Sequence, residues 1–199
     1  MKKSHNNRVK IRVSPQELLP LAVYVEPVSD STWAAVTAAG HIQGRPTASD
    51  TLVLFSDYDC PACARASILL DSLVTLHPDV LVLHRHFPLS TLGSSSGEAL
   101  VVECASMLGV PSQGRAAMYA RTGELPPPED IASELGADRD GFVECWYGSE
   151  AMSAVSRDLE LATAVGVDRT PGIFFSGQRW SHVPNFEELR RLTLLHDGA

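Results

Sequence analysis

The sequence contains no apolar run long enough to cross a membrane as a helix. Such a helix needs about 20 mostly apolar residues, whereas the stretch LLPLAVYV at 18–25 is short and interrupted by Pro20. The start, MKKSHNN, carries the positive charge of a signal peptide, but no uninterrupted apolar segment follows it. Two expectations remain open: a cytosolic protein, or a chain whose signal or anchor was removed from a longer precursor.

The chain is also short of basic residues. It has 16 Lys and Arg against 24 Asp and Glu, for a net charge of -8, and the basic residues are scattered. Proteins that bind nucleic acid usually cluster Lys and Arg on one face to meet the phosphates. We therefore expect no nucleic-acid partner.

Cysteine is scarce, with four residues in 199. A chain of this length fits one domain, or one domain with a sizeable insertion, and can bury a core without disulfides. The four cysteines are therefore not needed merely to make a small fold stable.

The hydrophobic patterns predict a mixed order of strands and helices. The predicted segments are an edge strand at 9–13, a helix at 31–40 capped by Ser31, a strand at 51–56, a helix at 61–77, a strand at 79–87, helices at 96–110, 113–123, 128–137, 139–148 and 150–167, strands at 172–177 and 178–183, and a helix at 185–196. This order favours a right-handed βαβ unit, a helical insertion, and a β-hairpin with a closing helix. In the helix at 61–77, the spacing predicts a buried stripe of Ala64, Ile68, Leu69, Leu73 and Leu76.

The motif Cys60-Pro61-Ala62-Cys63 lies between the predicted strand and helix. At the start of a helix, the Cys60 sulfur would face unpaired backbone N–H groups and the positive end of the helix dipole, which favour a thiolate. Cys63, one turn further on, would come within bonding distance of Cys60. Pro61 suits the first turn, where its missing N–H is no loss.

Two other roles for this pair are weighed against redox exchange. A structural zinc site usually has a second close pair of ligands, but Cys104 and Cys145 are each isolated. A purely structural Cys60–Cys63 disulfide would close so short a loop that it removes little chain entropy. A C-x-x-C between a strand and a helix is typical of redox exchange. A second signal is Thr170-Pro171 just before a strand, where a cis peptide bond is a plausible way to turn the chain.

His84 and His86 alternate on a predicted strand and share one of its faces. Two histidines at this spacing can bind a metal ion, but no third ligand is evident, so we interpret them as residues of a polar face.

Together these segments resemble the DsbA-like branch of the thioredoxin superfamily. The resemblance covers residues 33 to 196 nearly throughout, in the stretches GHIQGRPTASDTLVLFSDYDCPAC (40–63), RHFPLS (85–90), EALVVECASMLGV (98–110), GFVEC (141–145) and VGVDRTPGIFFSGQRW (165–180). It implies an α/β thioredoxin fold with an inserted helical domain. The implied units are an N-terminal extension at 1–30, a βαβ half at 31–95, the helical domain at 96–167 and a ββα half at 168–199.

The resemblance also implies roles for single residues. Cys60 would be the attacking cysteine and Cys63 the resolving one. Pro171 would form the cis-proline loop that faces them, and Thr170 would offer backbone groups to an extended substrate. Asp57 would help move protons for Cys63, although a capping role is an equally good interpretation.

The resemblance also bears on Ala62 and on the second cysteine pair, Cys104 and Cys145. The best-known oxidases carry a histidine where this chain has Ala62, so its disulfide should be a milder oxidant. Members of the family have a pairing that resembles a Cys104–Cys145 disulfide, and an oxidising compartment would allow such a bond. The alternative is two buried free thiols.

The implied function is disulfide exchange with cysteine-containing protein substrates, with disulfide formation outside the cytoplasm, as in the periplasm, as the expected direction. No metal or organic cofactor is needed, because the cysteine pair carries the electrons. An oxidase would need a redox partner, such as a membrane quinone-linked oxidase. The alternatives are a reductase or isomerase with the same site, or a non-catalytic thioredoxin-like binding module.

Overall fold

The computed structural model describes residues 25–89, 94–182, 185, 187 and 188. The strands are β1 (Val25–Pro27), β2 (His41–Gln43), β3 (Asp50–Ser56), β4 (Val80–His86), β5 (Gly172–Phe175) and β6 (Gln178–Trp180). The helices are α1 (Asp30–Thr37), α2 (Pro61–Leu76), α3 (Ser94–Met107), α4 (Pro111–Ala120), α5 (Pro128–Leu135), α6 (Arg139–Tyr147) and α7 (Glu150–Ala164).

The described strands form one mixed sheet in the order β1-β6-β5-β3-β4-β2. β3 and β4 are parallel and joined through α2, whereas the other neighbouring strands are antiparallel. The consecutive helices α3 to α7 lie in the chain between β4 and β5. This is the predicted order of a βαβ unit, a helical block and a β-hairpin.

Three groups of buried side chains make up the core. On one face of the sheet, α2 packs against alternate residues of the central strands, such as Leu52 and Val82. On the other face, residues from α1 and from the end of α7 pack on Val53 and Phe174. The inserted helices form a third group around Phe142. Both faces of β3 and β4 are covered, which explains why the sequences of these strands are nearly continuous apolar runs.

The buried face of α2 differs from the predicted stripe. The buried residues are Cys63, Ala66, Ser67, Leu70 and Leu73. Ile68 and Leu76, which were predicted to be buried, are 68 % and 62 % exposed, so that part of the prediction is wrong. The sequence at 68–70 is Ile-Leu-Leu, and a continuous apolar run does not define which face of a helix packs.

The margins of the fold also differ from the prediction. Helix α1 is capped by Ser29, whose hydroxyl accepts a hydrogen bond from the Thr32 N–H, and not by Ser31. Strand β1 lies within the predicted N-terminal extension, and β2 was not predicted. The edge strand predicted at 9–13, and the closing helix at 185–196 apart from residues 185, 187 and 188, lie outside the described residues.

Within the described part of the chain, no helix combines the length and apolar character required to span a bilayer.

Candidate redox site

Cys60 occupies the N-cap position of α2, directly after the loop that follows β3. Pro61 lies in the first turn, and the Cys63 N–H donates a hydrogen bond to the Cys60 sulfur over 3.3 Å. The sulfur therefore takes the place of the side-chain oxygen that usually caps a helix. The sequence predicted this position of Cys60, because the C-P-x-C motif lies between a predicted strand and a predicted helix.

The pKa of the Cys60 thiol is lowered in this environment. Partial burial works to raise it, but hydrogen bonds from the side chain of Cys63 and from the backbone N–H groups of Cys63 and Ala62 outweigh that effect. Cys60 is partly exposed, so its thiolate can be reached by another sulfur.

Cys63 has the opposite environment. Its side chain is fully buried, and this burial, followed by the hydrogen bond with the Cys60 side chain, raises the pKa of its thiol to about 12. Both cysteines are free thiols in this structure. The pair therefore consists of one accessible sulfur whose pKa is lowered and one buried sulfur whose pKa is raised.

The loop before β5 lies opposite the cysteines. The Thr170–Pro171 peptide bond is cis, and the Cys60 thiol donates to the Thr170 carbonyl oxygen over 3.7 Å. Gly172 follows directly, and a Cβ there would come within 2.7 Å of Val167. Close packing behind the loop thus requires glycine at this position.

Asp57 lies at the end of β3, but its carboxylate is occupied by the backbone. One oxygen accepts from the Asp59 N–H at 2.7 Å, and the other accepts from the Leu89 N–H at 2.7 Å. The backbone of Asp57 hydrogen-bonds the Cys63 sulfur. These contacts favour the capping interpretation of Asp57 over a role in moving protons.

Of the two residues between the cysteines, Pro61 is exposed and Ala62 is partly exposed. The Ala62 methyl group cannot donate a hydrogen bond, so only its backbone N–H acts on the thiolate.

Glu98 and Tyr119, which the sequence did not single out, also lie near the motif. Glu98 on α3 is buried, and burial together with Asp59 and Asp57 raises the pKa of its carboxyl to about 7. Burial raises the pKa of Tyr119 on α4, and the charges of Cys63 and Cys60 add to this effect. Neither position carries a sequence signal, because only the packing of the inserted helices brings it to the site.

Cys104 on α3 and Cys145 on α6 are joined by a disulfide, with their Cα atoms 5.7 Å apart. Cys104 is fully buried in the core of the inserted helices, and Cys145 packs at its edge. This pair lies in the inserted helices, away from the Cys60–Cys63 motif, and it is bonded whereas Cys60 and Cys63 are free thiols.

His84 and His86 are not on a polar surface, so the interpretation as residues of a polar face is wrong. They are 2 % and 1 % exposed. His86 contacts Glu103 of α3, and His84 contacts Gln43 of β2. Burial, together with the charge of Arg115, lowers the pKa of His84.

A cleft of about 250 Å³ adjoins the cis-proline loop. Pro171 and Trp180 contribute to its wall, and Arg169 and Arg179 provide positive charge along it. The cleft lies beside the loop that faces Cys60.

These features define a thioredoxin-fold protein with a C-x-x-C motif: a sheet with a βαβ half and a hairpin half, an inserted helical block, and a partly exposed N-cap cysteine opposite a cis-proline. The family model described as Thioredoxin matches residues 36–193. The chain belongs to this family, and the fold predicted from the resemblance to the DsbA-like branch is confirmed.

Solved structures share this fold at low sequence identity. A thioredoxin-like oxidoreductase from Silicibacter pomeroyi DSS-3 has a TM-score of 0.71 and 23% identity over 83% of this chain and 98% of that one. Pseudomonas aeruginosa DsbA2 has a TM-score of 0.64 and 24% identity over 77% and 92% of the two chains. A periplasmic thioredoxin-like protein from Salmonella enterica serovar Typhimurium has a TM-score of 0.66 and 20% identity over 87% and 98%.

Curated relatives are much longer proteins. The Na(+)/H(+) antiporter NhaA 1 of Mycolicibacterium gilvum (strain PYR-GCK) is 32% identical over 152 residues, which is 70% of this chain and 24% of the antiporter. The antiporter NhaA 3 of Salinispora tropica is 27% identical over 75% of this chain and 23% of its own length. The chain thus spans about a quarter of the length of these relatives.

Proposed function

We propose that the protein is a thiol–disulfide oxidoreductase that exchanges a Cys60–Cys63 disulfide with cysteine-containing protein substrates. The observation that carries this proposal is the contrast within the pair: the pKa of the accessible Cys60 thiol is lowered, while that of the buried Cys63 thiol is raised to about 12. Thiolates, and not thiols, attack disulfides and leave them most readily.

In the oxidising direction, a substrate thiolate attacks the Cys60 sulfur of the Cys60–Cys63 disulfide. A bond forms between the substrate sulfur and Cys60, and Cys63 departs with the electron pair and takes up a proton. A second substrate thiolate then attacks the substrate sulfur of the mixed disulfide, and Cys60 leaves as the thiolate. The substrate gains a disulfide, and the enzyme gains the two electrons as a dithiol.

The hydrogen bonds to Cys60 act on the second step of this sequence. The side chain of Cys63 and two backbone N–H groups stabilise the departing thiolate. Stabilising the reduced form makes the disulfide a stronger oxidant. Because Ala62 adds no side-chain donor, we expect a potential below that of an otherwise equal site with histidine there.

The cleft beside Pro171 is the proposed binding place for the substrate chain. Thr170 is partly exposed next to the sulfur, so its backbone can pair with an extended segment in the manner of a short added strand. Arg169 and Arg179 line the cleft, although Asp168 shares it and forms ion pairs with both. The mixed charge favours polypeptides without a strong net charge near their cysteine.

We place this activity outside the cytoplasm, in the periplasm or an equivalent compartment. The support is the Cys104–Cys145 disulfide, because structural disulfides persist in oxidising compartments, together with the periplasmic thioredoxin-like protein that shares the fold. An oxidase in this place needs a partner that accepts its two electrons, and a membrane quinone-linked oxidase would serve. Transport by the antiporter relatives remains a property of those larger proteins.

The test is to trap the mixed disulfide. Cys63→Ala protein with a free Cys60 is mixed with the disulfide-linked dimer of a peptide that contains one cysteine, so that the released peptide is not tethered to the adduct, and the product is analysed by intact mass without reduction. We expect a covalent adduct on Cys60 that persists, because Cys63 cannot resolve it. The Cys60→Ala protein, which keeps Cys63, is the matched control and should form none. An adduct in neither variant would contradict the proposal.

The direction of exchange is tested separately. Oxidised wild-type protein is mixed with a dithiol peptide, and reduced protein with the same peptide as a disulfide. Faster oxidation of the peptide supports disulfide formation, whereas faster reduction assigns the site to a reductase.

A further inference from the structure

A second cluster of chemically active side chains lies on the sheet away from the cysteine motif. The antiparallel pairing of β2 with β4 sets His41 directly opposite His84, and His86 lies two residues further along the same face. Helix α3 covers this face and brings Glu103 against the histidines. Three residues that are far apart in the sequence thus share one location.

The three side chains point their coordinating atoms at one another. The Nε2 atom of His41 lies 2.6 Å from Glu103 Oε2, and the Nε2 atom of His86 lies 3.1 Å from the same oxygen. The two imidazole rings stand edge to face with their centroids 5.0 Å apart. One potential ligand atom from each residue lies within 4.8 Å of the other two.

We propose that His41, His86 and Glu103 form a Zn²⁺-binding site that is independent of the Cys60–Cys63 pair. Two imidazole nitrogens and one carboxylate oxygen are a recognised ligand set of zinc sites that keep a fourth position open. Zinc bonds of about 2.0 to 2.2 Å hold neighbouring tetrahedral ligands about 3.3 Å apart. The observed separations of 2.6 and 3.1 Å therefore need only a small expansion.

The cluster is buried but reachable. The side chains of His41 and Glu103 are 10% and 13% exposed, and both line a cleft of about 470 Å³. His86 is enclosed behind them at 2%. An ion can therefore enter from the cleft, and the open position would face it and hold water.

His84 lies next to the cluster but outside it. Its Nε2 atom is 2.6 Å from Gln43 Oε1, so this nitrogen is already paired with an amide. His84 thus provides a matched control, because it shares strand, face and burial with His86. The site also departs from the expectation that the chain needs no metal, since the two ligands missing beside His86 are supplied by His41 of β2 and Glu103 of α3.

The experiment must exclude zinc bound by thiolates. The Cys60→Ser/Cys63→Ser protein, with Cys104 and Cys145 still oxidised, is stripped with chelator and titrated with Zn²⁺ by calorimetry. We expect one ion per chain. Glu103→Gln in the same background should weaken binding by at least about 100-fold, since loss of a ligand exceeds the 10- to 100-fold effect of its supporting partners. His84→Gln should bind as the parent does.

Folding and geometry are checked alongside. Circular dichroism must show that each variant is folded. Co²⁺ in place of Zn²⁺ should give the intense visible absorption of a four-coordinate site in the parent, and this absorption should be lost in Glu103→Gln. Absence of binding to the folded parent would overturn the proposal, as would equal binding by folded Glu103→Gln or an equal loss in His84→Gln. None of these results bears on disulfide exchange, which does not use these residues.

Discussion

The molecule has two cysteine pairs, and their surroundings differ in almost every respect. Cys60 and Cys63 are three positions apart, free, and joined through a helix N-terminus. Cys104 and Cys145 are 41 positions apart and disulfide-bonded between two helices of the insertion. The first pair has one accessible, stabilised sulfur, whereas the second is packed into a core. The comparison shows that the same residue type has two different environments, and these match the proposed redox pair and a structural disulfide.

The largest difference should appear when the attacking sulfur is removed. Cys60→Ser should lower the rate of disulfide exchange by at least about 1,000-fold, the scale of losing a nucleophile, because a serine hydroxyl cannot form the mixed disulfide. The measurement is the oxidation rate of a dithiol peptide. The matched change in the other pair, Cys104→Ser/Cys145→Ser, should leave this rate within a few-fold. A similar loss in both variants would contradict the division of roles.

The structural pair should dominate stability instead. Replacing both Cys104 and Cys145 by alanine opens a loop spanning 41 residues, for which the chain-entropy model gives a loss of about 4 kcal/mol in the free energy of unfolding. Urea denaturation of wild type and variant measures this difference. Cys60→Ala should change the free energy of unfolding much less, since Cys60 is half-exposed. An unchanged midpoint in the double variant would show that the Cys104–Cys145 bond does not hold the helices.

The electrostatic contrast within the redox pair can be sharpened with a matched set of variants. The hydrogen bond from the Cys63 side chain is the largest effect that lowers the pKa of Cys60. Cys63→Ser keeps a donor and Cys63→Ala removes it, so the pKa of Cys60 should be higher in the alanine variant. The pH dependence of alkylation of Cys60 measures both. Equal values would rule out this hydrogen bond as the cause.

The same shifts define how reduced protein responds to pH. Because the pKa of Cys60 is lower in the folded state, its thiolate stabilises the fold above the unfolded pKa, and this contribution is lost as pH falls through the folded value. Cys63 acts in the opposite sense: its folded pKa of about 12 means that stability falls as pH rises above the unfolded value. Urea denaturation of the reduced protein at a series of pH values measures both contributions. The free energy of unfolding should rise as pH increases towards the unfolded cysteine pKa and fall above it.

A smaller effect is expected at Ala62. Ala62→His adds a side-chain donor near the Cys60 thiolate and should raise the reduction potential by about 30 mV, which is about 1.4 kcal/mol for a two-electron couple. Ala62→Gln, which adds a neutral side chain of similar length, is the control and should raise it less. No rise with histidine would contradict the argument that Ala62 makes the disulfide a milder oxidant.

The smallest effect is expected at Asp57. Its carboxylate accepts two backbone hydrogen bonds, and Asp57→Asn keeps one acceptor oxygen. We expect a loss of about 1 kcal/mol in the free energy of unfolding and an exchange rate within a few-fold of wild type. A shifted pH profile of the exchange rate would instead assign Asp57 to proton transfer.

The redox motif could be predicted because its signals are local. A continuous apolar strand, a proline suited to a first helical turn and a cysteine one turn later all lie within residues 51–63. The inserted helices were predicted for the same reason. Edge strands β1 and β2 are three residues each, too short to show an alternating pattern.

The histidine cluster shows where sequence reasoning reached its limit. His84 and His86 were noticed, but Glu103 lies 17 positions beyond His86 and His41 lies 62 positions before Glu103. Only the β2–β4 pairing and the packing of α3 bring them together. Tertiary contacts between distant segments leave no periodic signal, so this location required the structure.

We expect Cys60 and Cys63 to form a reversible redox couple, whereas Cys104 and Cys145 should not. Wild-type protein is equilibrated in glutathione buffers of graded potential, quenched by alkylation and analysed by mass. We predict one two-electron transition at Cys60 and Cys63 between about -270 and -120 mV, with Cys104 and Cys145 unmodified throughout. If no transition appears at Cys60 and Cys63 within this range, the pair is not a reversible redox couple, and a thioredoxin-like binding module becomes the better description.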